Sequence, residues 1–112
     1  MNRGEIWSIN LDPTIGAEIR KTRPALVLNV DAIGALPLRV VVPITGWKES
    51  FAQASWLVRL EPDSSNNLDK VSAADTFQVR SVSETRFLDR RGSLAPADMA
   101  RVEEAVRSVL GL

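Results

Sequence analysis

The sequence of 112 residues contains no cysteine, no histidine and no tyrosine. The absence of cysteine excludes disulfides and a thiolate nucleophile, and it is typical of proteins of the reducing cytoplasm, where we expect this one. The absence of histidine removes the side chain that most often acts as a general acid or base. Because zinc and related metals are usually bound by cysteine and histidine, we expect no metal and no cofactor. Catalysis would therefore depend on carboxylates, hydroxyls, lysine and arginine.

Long apolar segments are absent as well. The longest runs, such as Val40–Ile44, are far too short to cross a bilayer. The N-terminal region carries Arg3, Glu5 and Asp12 where a signal peptide would have an apolar segment. We therefore expect neither membrane association nor a secretory leader.

The charges balance, with 14 basic and 14 acidic residues and a formal net charge of zero. A neutral chain is not typical of a general nucleic-acid binder. Most of the basic residues are arginines, however, and they concentrate at 20–23 and 80–91. These clusters indicate either a basic face on a neutral protein or ordinary solvated surface arginines.

The length suits a single domain over residues 1–112, with enough chain to bury a core. Alternating and β-branched segments predict strands, and Trp7 and Ile9 are expected on the inward face of the first one. The predicted strands cover residues 5–11, 24–30, 38–44, 56–60 and 88–94, with a strand pair or a bent strand over 69–82. Several short strands followed by one helix predict a mainly β fold, a small curled antiparallel barrel with a C-terminal α-helix.

The last segment has the start and stop signals of a helix. Ala95-Pro96 opens it, because proline is tolerated at the first helical position, and Gly111 ends it. Its apolar residues recur at helical spacing, which favours packing on the core over a dimer seam. They are Met99, Val102, Val106, Val109 and Leu110.

The segment from Asn10 to Pro24 has the composition of an anion-binding loop. It combines an Asp-Pro turn, a glycine and three cations with a final Arg-Pro. Because the residue before a proline is driven into the extended region, Arg23 is expected at the mouth of a strand with a fixed direction. Its guanidinium group offers donors that fit phosphate in a bidentate manner.

Six segments in order give the chain a specific resemblance. They are Arg3-Gly-Glu-Ile-Trp7, Asn10-Leu-Asp-Pro13, Gly16-Ala-Glu18, Thr22-Arg-Pro-Ala25, Val42-Pro-Ile-Thr45 and Phe77-Gln-Val-Arg-Ser81. The chain resembles the MazF/PemK family of toxin endoribonucleases from toxin–antitoxin operons, over nearly its whole length. The resemblance implies a barrel of the Src-homology-three-like type shared by MazF, PemK and CcdB. It further implies a homodimer that cleaves single-stranded RNA, mRNA in particular, and a cognate antitoxin that silences it. In the family the 2′-hydroxyl of the RNA attacks the adjacent phosphorus without a metal, leaving a 2′,3′-cyclic phosphate and a 5′-hydroxyl.

The resemblance places the catalytic arginine of the family on Arg23 and its catalytic threonine on Thr45. Since arginine rarely loses its proton, Arg23 is expected to clamp the phosphate or to protonate the leaving oxygen, and the Thr45 hydroxyl to donate to a phosphate oxygen. The general base is open. Glu18 and Asp75 are the carboxylate candidates, but Glu18 is equally suited to orient Arg20 or Arg23, and Asp75 to cap a turn.

Other residues are predicted to bind RNA. Arg20 and Lys21 lie in the loop over residues 10–24, Gln78 and Arg80 are suited to base edges or phosphates, and Asp75 is placed with them. Trp47 is the best candidate for base stacking, ahead of Phe51. Trp7 and Trp56 are expected in the core.

The chain departs from the family pattern at three positions. Ala17 and Ile19 replace polar residues in the loop over residues 10–24, called here the first loop. Phe77 replaces an acid. Asp75 would take over the role of that acid if Asp75 and Phe77 lay on the same face of one strand. Two alternatives therefore remain. One is a gyrase-binding toxin of the CcdB type, whose action depends on C-terminal residues, and the other is an RNA-binding barrel without catalysis.

Overall fold

The computed structural model describes all residues from 1 to 112. It contains seven β-strands, three short 3₁₀ turns and one α-helix. The strands are β1 (Glu5–Asn10), β2 (Thr22–Val27), β3 (Leu38–Gly46), β4 (Leu57–Leu60), β5 (Ser72–Asp75), β6 (Arg80–Ser83) and β7 (Phe87–Ser93). The 3₁₀ turns are Glu49–Gln53, Thr76–Gln78 and Glu84–Arg86, and the helix α1 is Pro96–Leu110.

All strand pairs are antiparallel. The order of the sheet is β4-β5-β3-β2-β1-β7, and β6 pairs separately with β3. The sheet curls around the core without closing, so the predicted mainly β fold with a C-terminal helix is confirmed. No helix has both the length and the apolar character needed to cross a membrane.

The central strand β3 changes partners along its length, and two prolines explain where. Its first part pairs with β2 and β6, whereas residues 44–46 pair only with β5. The Leu28 N–H donates to the Val40 carbonyl at 2.9 Å, so even-numbered residues of β3 carry the hydrogen bonds to β2. Pro24 lies opposite Ile44 and has no N–H, so it ends the hydrogen bonds between β2 and β3. Pro43 also lacks an N–H, and on the other side of β3 it lies at the point where the partner changes from β6 to β5.

The region over 69–82, predicted as a strand pair or a bent strand, contains the two strands β5 and β6. β5 and β6 do not pair with each other; both pair with β3, and the 3₁₀ turn Thr76–Gln78 separates them. Because Asp75 ends a strand and Phe77 lies inside that turn, the expectation that they share one strand face is wrong.

Apolar side chains cover both faces of the sheet. Trp7 and Ile9 pack with one small cluster, as predicted, while Ile6 belongs to the main core on the other face. The prediction that Trp56 is a core residue is wrong, since it is 42% exposed and packs edge-on against the exposed Phe77. The main core is formed by Ile6, Leu26, Val42, Ile44, Val58, Leu60, Leu68, Ala74, Leu94, Val102, Ala105 and Val106.

The helix has the predicted ends. Pro96 lies in its first turn, and Gly111 caps the other end with a φ of 72°, a left-handed conformation that glycine adopts without strain. Val102 and Val106 are buried, which confirms that the apolar stripe packs on the core, although Leu110 at the end of the stripe is exposed.

A polar turn over residues 61–69, called here the 61–69 turn, lies directly on β7. The Ser93 N–H donates to the Ser65 carbonyl at 2.9 Å, and the Asn67 side-chain amide donates to the Arg91 carbonyl at 2.8 Å. A Cβ atom on Gly92 would lie 2.3 Å from the Ser65 carbonyl oxygen, so only glycine permits this approach. The fully buried Asn66 side chain holds the turn together through hydrogen bonds with Glu61, Asp63 and Leu68.

Candidate active site between β2 and β3

A cavity of about 250 Å³ opens where β2 and β3 part. Arg23 and Thr45 both line it, although 22 positions separate them in the chain. Extending the register beyond the last pair, Ala25 with Pro43, places these two residues opposite each other. The cavity is somewhat smaller than the usual range of about 300–1,000 Å³ for small-molecule sites, which suits a phosphate group with its adjoining sugar. Its lining is Thr22, Arg23, Pro24, Ile44, Thr45, Gly46, Leu68, Asp69, Lys70, Ser72 and Arg91.

The cavity carries positive charge although the whole chain is neutral. Three cations line it, Arg23, Lys70 and Arg91, against the single carboxylate of Asp69. The eight ion pairs of the structure include neither Arg23 nor Lys70. Two uncompensated cations at the parted strand ends have the charge and the donors that suit an anion.

Each of the two residues expected to be catalytic is positioned by strand geometry. Arg23 pairs with Ile9 of β1, and its Nε donates to the Arg20 carbonyl at 3.3 Å. Thr45 pairs with Ala73 of β5 and is half-buried. The two side chains are therefore fixed by different neighbours, β1 on one side and β5 on the other, and they face a common cavity.

The other predicted residues of the first loop lie outside the cavity lining. Glu18 is exposed, and its carboxylate accepts a hydrogen bond from the Ile15 N–H at 2.6 Å. It forms no ion pair with Arg20 or Arg23. Arg20 and Lys21 are exposed, and Lys21 adopts a φ of 71° as the loop turns back towards β2.

Gln78 and Arg80 hold the first loop from the opposite side. The Gln78 carboxamide accepts from the Ile19 N–H at 2.6 Å and donates to the Ala17 carbonyl at 3.2 Å. Arg80 donates to the Leu11 carbonyl at 3.4 Å. In the free protein these two side chains therefore act as anchors of the loop that leads into Arg23.

Asp75 supports the same anchor. It is buried, and its carboxylate accepts hydrogen bonds from the Phe77 N–H at 3.2 Å and the Gln78 amide at 3.1 Å. Burial raises the pKa of Asp75 above its ordinary value, and this effect outweighs the hydrogen bonds from Phe77 and Gln78, which lower the pKa. Asp75 thus caps the 3₁₀ turn, which is one of the roles predicted for it beside general base and RNA contact, and it does not line the cavity.

Trp47 is the residue after Gly46, which ends β3 and lines the cavity, and it is half-buried. Its ring meets Phe51 edge-on with 5.8 Å between centroids, and the Arg59 guanidinium carbon lies 5.3 Å from its ring centroid. The indole N–H is buried without a hydrogen-bond partner. Arg59 therefore occupies the position in which a base would stack, and it would have to move for Trp47 to take the predicted role.

Three residues of the cavity lining were not predicted from the sequence: Asp69 at the end of the 61–69 turn, Lys70 directly after it, and Arg91 in β7. The Lys70 ammonium lies 3.1 Å from where a Cβ on Gly46 would be, so its side chain covers the end of β3. Arg91 pairs with Asp69 at 3.3 Å. The arginine cluster at 80–91 was the available signal, but nothing local indicates which of its members faces β2. The structure contains no group of three or more acidic side chains arranged to hold a metal.

Known proteins agree with this architecture. The family model described as "PemK-like, MazF-like toxin of type II toxin-antitoxin system" matches residues 2–110. Endoribonuclease MazF9 of Mycobacterium tuberculosis is 32% identical over 118 residues, covering 100% of this chain and 98% of the relative. The crystal structure of MazF from Deinococcus radiodurans superposes with a TM-score of 0.82 at 24% identity, over 100% of this chain and 97% of that one. An endoribonuclease from a mycobacterial species, solved in complex with its cognate antitoxin, superposes with a TM-score of 0.78 at 19% identity, over 100% and 96% of the two chains. The family predicted from the sequence is confirmed: this chain belongs to the PemK-like, MazF-like toxins of type II toxin–antitoxin systems.

Proposed function

We propose that this chain is an endoribonuclease toxin that cleaves single-stranded RNA in the cavity between β2 and β3. The observation that carries the proposal is the meeting of Arg23 and Thr45 at one positively charged cavity. Its family membership and the similarity to MazF9 support the same activity.

The proposed reaction is transesterification followed by release. The RNA 2′-hydroxyl attacks the adjacent phosphorus, the bond to the 5′-oxygen breaks, and the products carry a 2′,3′-cyclic phosphate and a 5′-hydroxyl. Arg23 stabilises the additional negative charge of the phosphorane and assists the leaving oxygen, while Thr45 donates a hydrogen bond to a non-bridging oxygen. Preorganised donors of this kind typically contribute several kcal/mol to transition-state stabilisation.

The base that accepts the 2′-hydroxyl proton is assigned to Glu18. It belongs to the same loop as Arg23 and is exposed, with its carboxylate held by only one backbone N–H in the free protein. Asp75 is the less suitable candidate because Phe77 and Gln78 already occupy its carboxylate. Glu18→Gln, which keeps the size of the side chain and removes the carboxylate, should lower the single-turnover cleavage rate at saturating protein. An unchanged rate would exclude Glu18 as the base.

Two partners belong to this proposal. A cognate antitoxin is supported by the structural neighbours solved with antitoxins, including the MazE–MazF complex from Deinococcus radiodurans. A homodimer is proposed on the family resemblance, and light scattering should then give twice the chain mass of 12.3 kDa.

The test is cleavage of a long defined transcript in the presence of a chelator. We expect cuts at a limited set of sites, and the downstream fragments should accept a kinase label without phosphatase treatment because they begin with a 5′-hydroxyl. Arg23→Ala and Thr45→Ala should abolish cutting without changing the thermal unfolding midpoint, and Arg107→Ala on the exposed face of α1 is the matched control.

Three results would contradict the proposal. Equal cutting by the wild type and both cavity variants would exclude the assigned site, and loss of cutting in chelator would exclude metal independence. RNA binding without strand scission at stoichiometric protein would identify a binding barrel. Removal of residues 110–112 separates the gyrase-binding alternative, since an RNA-cleaving enzyme should lose only stability.

A further inference from the structure

We propose that Lys70 and Arg91 form a second phosphate subsite, which holds the phosphate next to the scissile one. The inference rests on the proposed function and extends it to side chains outside the family motifs. Lys70 and Arg91 line the same cavity as Arg23 and Thr45, but Lys70 directly follows the 61–69 turn and Arg91 belongs to β7.

The charge of the cavity exceeds what one phosphodiester needs. Arg23, Lys70 and Arg91 give three positive charges, and Asp69 removes one, so two remain. A single phosphodiester carries one negative charge. The second positive charge is therefore available for a neighbouring phosphate of the same strand.

Lys70 is free to make this contact. It forms no ion pair in the structure, and its ammonium lies over Gly46, one residue beyond Thr45. Because residue 46 is a glycine, no side chain separates the Lys70 ammonium from the end of β3. Lysine binds phosphate as a mobile point charge, which suits a subsite that must follow a moving backbone.

Arg91 has only one ion partner, and that partner is weak. The side chain of Asp69 is 87% exposed, and pairs of this kind contribute little to stability. The other contacts of the Arg91 guanidinium, with the Ser8 hydroxyl and the Asn67 carbonyl, are both 3.5 Å long. A phosphate that enters the cavity therefore competes with an exposed carboxylate for Arg91.

The path continues beyond the subsite. A second cavity of about 400 Å³ shares Arg91 and has no apolar lining. It is lined by Ser65, Asn67, Arg90, Arg91, Gly92 and Ser93. The RNA backbone is inferred to run from Arg23 and Thr45 across Lys70 and Arg91 towards this polar groove.

The test pairs protein variants with a chemically neutralised linkage. A short RNA spanning a mapped cleavage site carries a 2′-O-methyl group on the attacking nucleotide, which blocks cleavage. In further copies one phosphate flanking the scissile one, on either side, is replaced by an uncharged methylphosphonate. Dissociation constants are measured by fluorescence anisotropy for the wild type, Lys70→Gln, Arg91→Gln and Asp69→Asn, with Arg107→Gln as the matched control for loss of one cation.

We expect Lys70→Gln to weaken binding about tenfold, as loss of a charged hydrogen bond does. One of the two methylphosphonates should weaken wild-type binding similarly and have little further effect on Lys70→Gln, because both changes remove the same contact. Asp69→Asn should strengthen binding several-fold. A misfolded variant would bind less tightly, so misfolding cannot explain a gain of affinity. Arg107→Gln should bind like the wild type.

The alternatives are distinguishable. Suppose that the wild type cuts RNA and needs Arg23. If Lys70→Gln, Arg91→Gln and Asp69→Asn then bind RNA like the wild type, the subsite is wrong and the proposed function stands. The same holds if each methylphosphonate weakens the binding of Lys70→Gln as much as it weakens that of the wild type. If the wild type neither cuts nor binds the RNA, both fall together.

Discussion

Thr45 allows a test of chemistry that does not disturb packing. Valine has nearly the shape of threonine and keeps the β-branch that suits β3, but it has no hydroxyl. We expect Thr45→Val to lower the single-turnover cleavage rate about 10²- to 10³-fold, the usual cost of removing one transition-state donor. Thr45→Ser keeps the hydroxyl and should stay within about tenfold of the wild type by the same comparison. Equal rates for Thr45→Val and the wild type would remove Thr45 from the mechanism.

Glu5 predicts how stability depends on pH. Its carboxylate accepts hydrogen bonds from the Asn2 N–H at 2.8 Å and the Trp7 indole at 3.0 Å, and it pairs with Arg90 at 3.2 Å. Burial alone raises the pKa of Glu5, but these hydrogen bonds, the N-terminal charge and Arg90 together hold the pKa below its ordinary value of 4.5.

Because the folded pKa is lowered, the unfolded chain takes up this proton first as the pH falls. The stabilisation is complete above pH 4.5 and is lost as the pH drops through the folded pKa. We expect the free energy of unfolding, measured by urea titration, to fall less steeply in acid for Glu5→Gln than for the wild type. Glu104→Gln, an exposed control on α1, should keep the wild-type slope; identical slopes for all three would refute the role given to Glu5.

Single residues were predictable where their chemistry is local. Arg23 was predicted at the mouth of a strand because a proline follows it, whereas Thr45 was assigned only through the family resemblance. Lys70 was not predictable, since it reaches the cavity only through a turn that packs on β7. Gln78 and Arg80 were predicted to bind RNA, yet in the free protein they hydrogen bond to the first loop, a long-range contact that no sequence spacing indicates.

At the scale of elements, Gly92 decides where the 61–69 turn lies. A Cβ at this position meets the Ser65 carbonyl at 2.3 Å and the Asn66 backbone at 2.9 Å, and backbone atoms cannot move aside as side chains do. We expect Gly92→Ala to cost about 1–3 kcal/mol in the free energy of unfolding, as overpacking does. Since the displaced turn ends at Asp69 and is directly followed by Lys70, RNA binding should weaken as well.

Gly46→Ala provides the contrasting case. Its Cβ would contact only the flexible end of the Lys70 side chain, at 3.1 Å. We therefore expect an unfolding free energy within about 0.5 kcal/mol of the wild type, together with weaker RNA binding as Lys70 is displaced. Urea unfolding and anisotropy on the same samples measure both quantities. If Gly46→Ala were as unstable as Gly92→Ala, the distinction between side-chain and backbone contact would be wrong.

Most elements were predictable from periodicity, and the errors have physical causes. The helix and the central strand carry clear local signals and are confirmed. The first residues of β2 were missed because Thr22 and Arg23 are extended through pairing with β1. The region from Asp75 to Phe77 was read with strand alternation, but a 3₁₀ turn capped by the Asp75 carboxylate interrupts the strand there. Trp56 is exposed because its strand begins one residue later.

At the scale of the whole molecule, positive and negative charges are equal in number but unevenly distributed over the surface. A formal net charge of zero gives no general attraction to a polyanion. The three cations of the cavity outnumber its one carboxylate, so the gap between β2 and β3 carries a local positive charge. Binding should therefore depend on a small number of phosphate contacts and not on the whole surface.

The salt dependence of RNA binding measures that number. Each phosphate neutralised on a single strand adds about −0.7 to the slope of log affinity against log salt concentration, so two phosphates predict a slope of roughly −1.4. Lys70→Gln should reduce it by about 0.7, whereas Arg107→Gln, which removes a charge of the same sign from α1, should leave it unchanged. A much steeper slope, reduced equally by both variants, would mean that cations over the whole surface bind the RNA. The cavity would then not be the binding site.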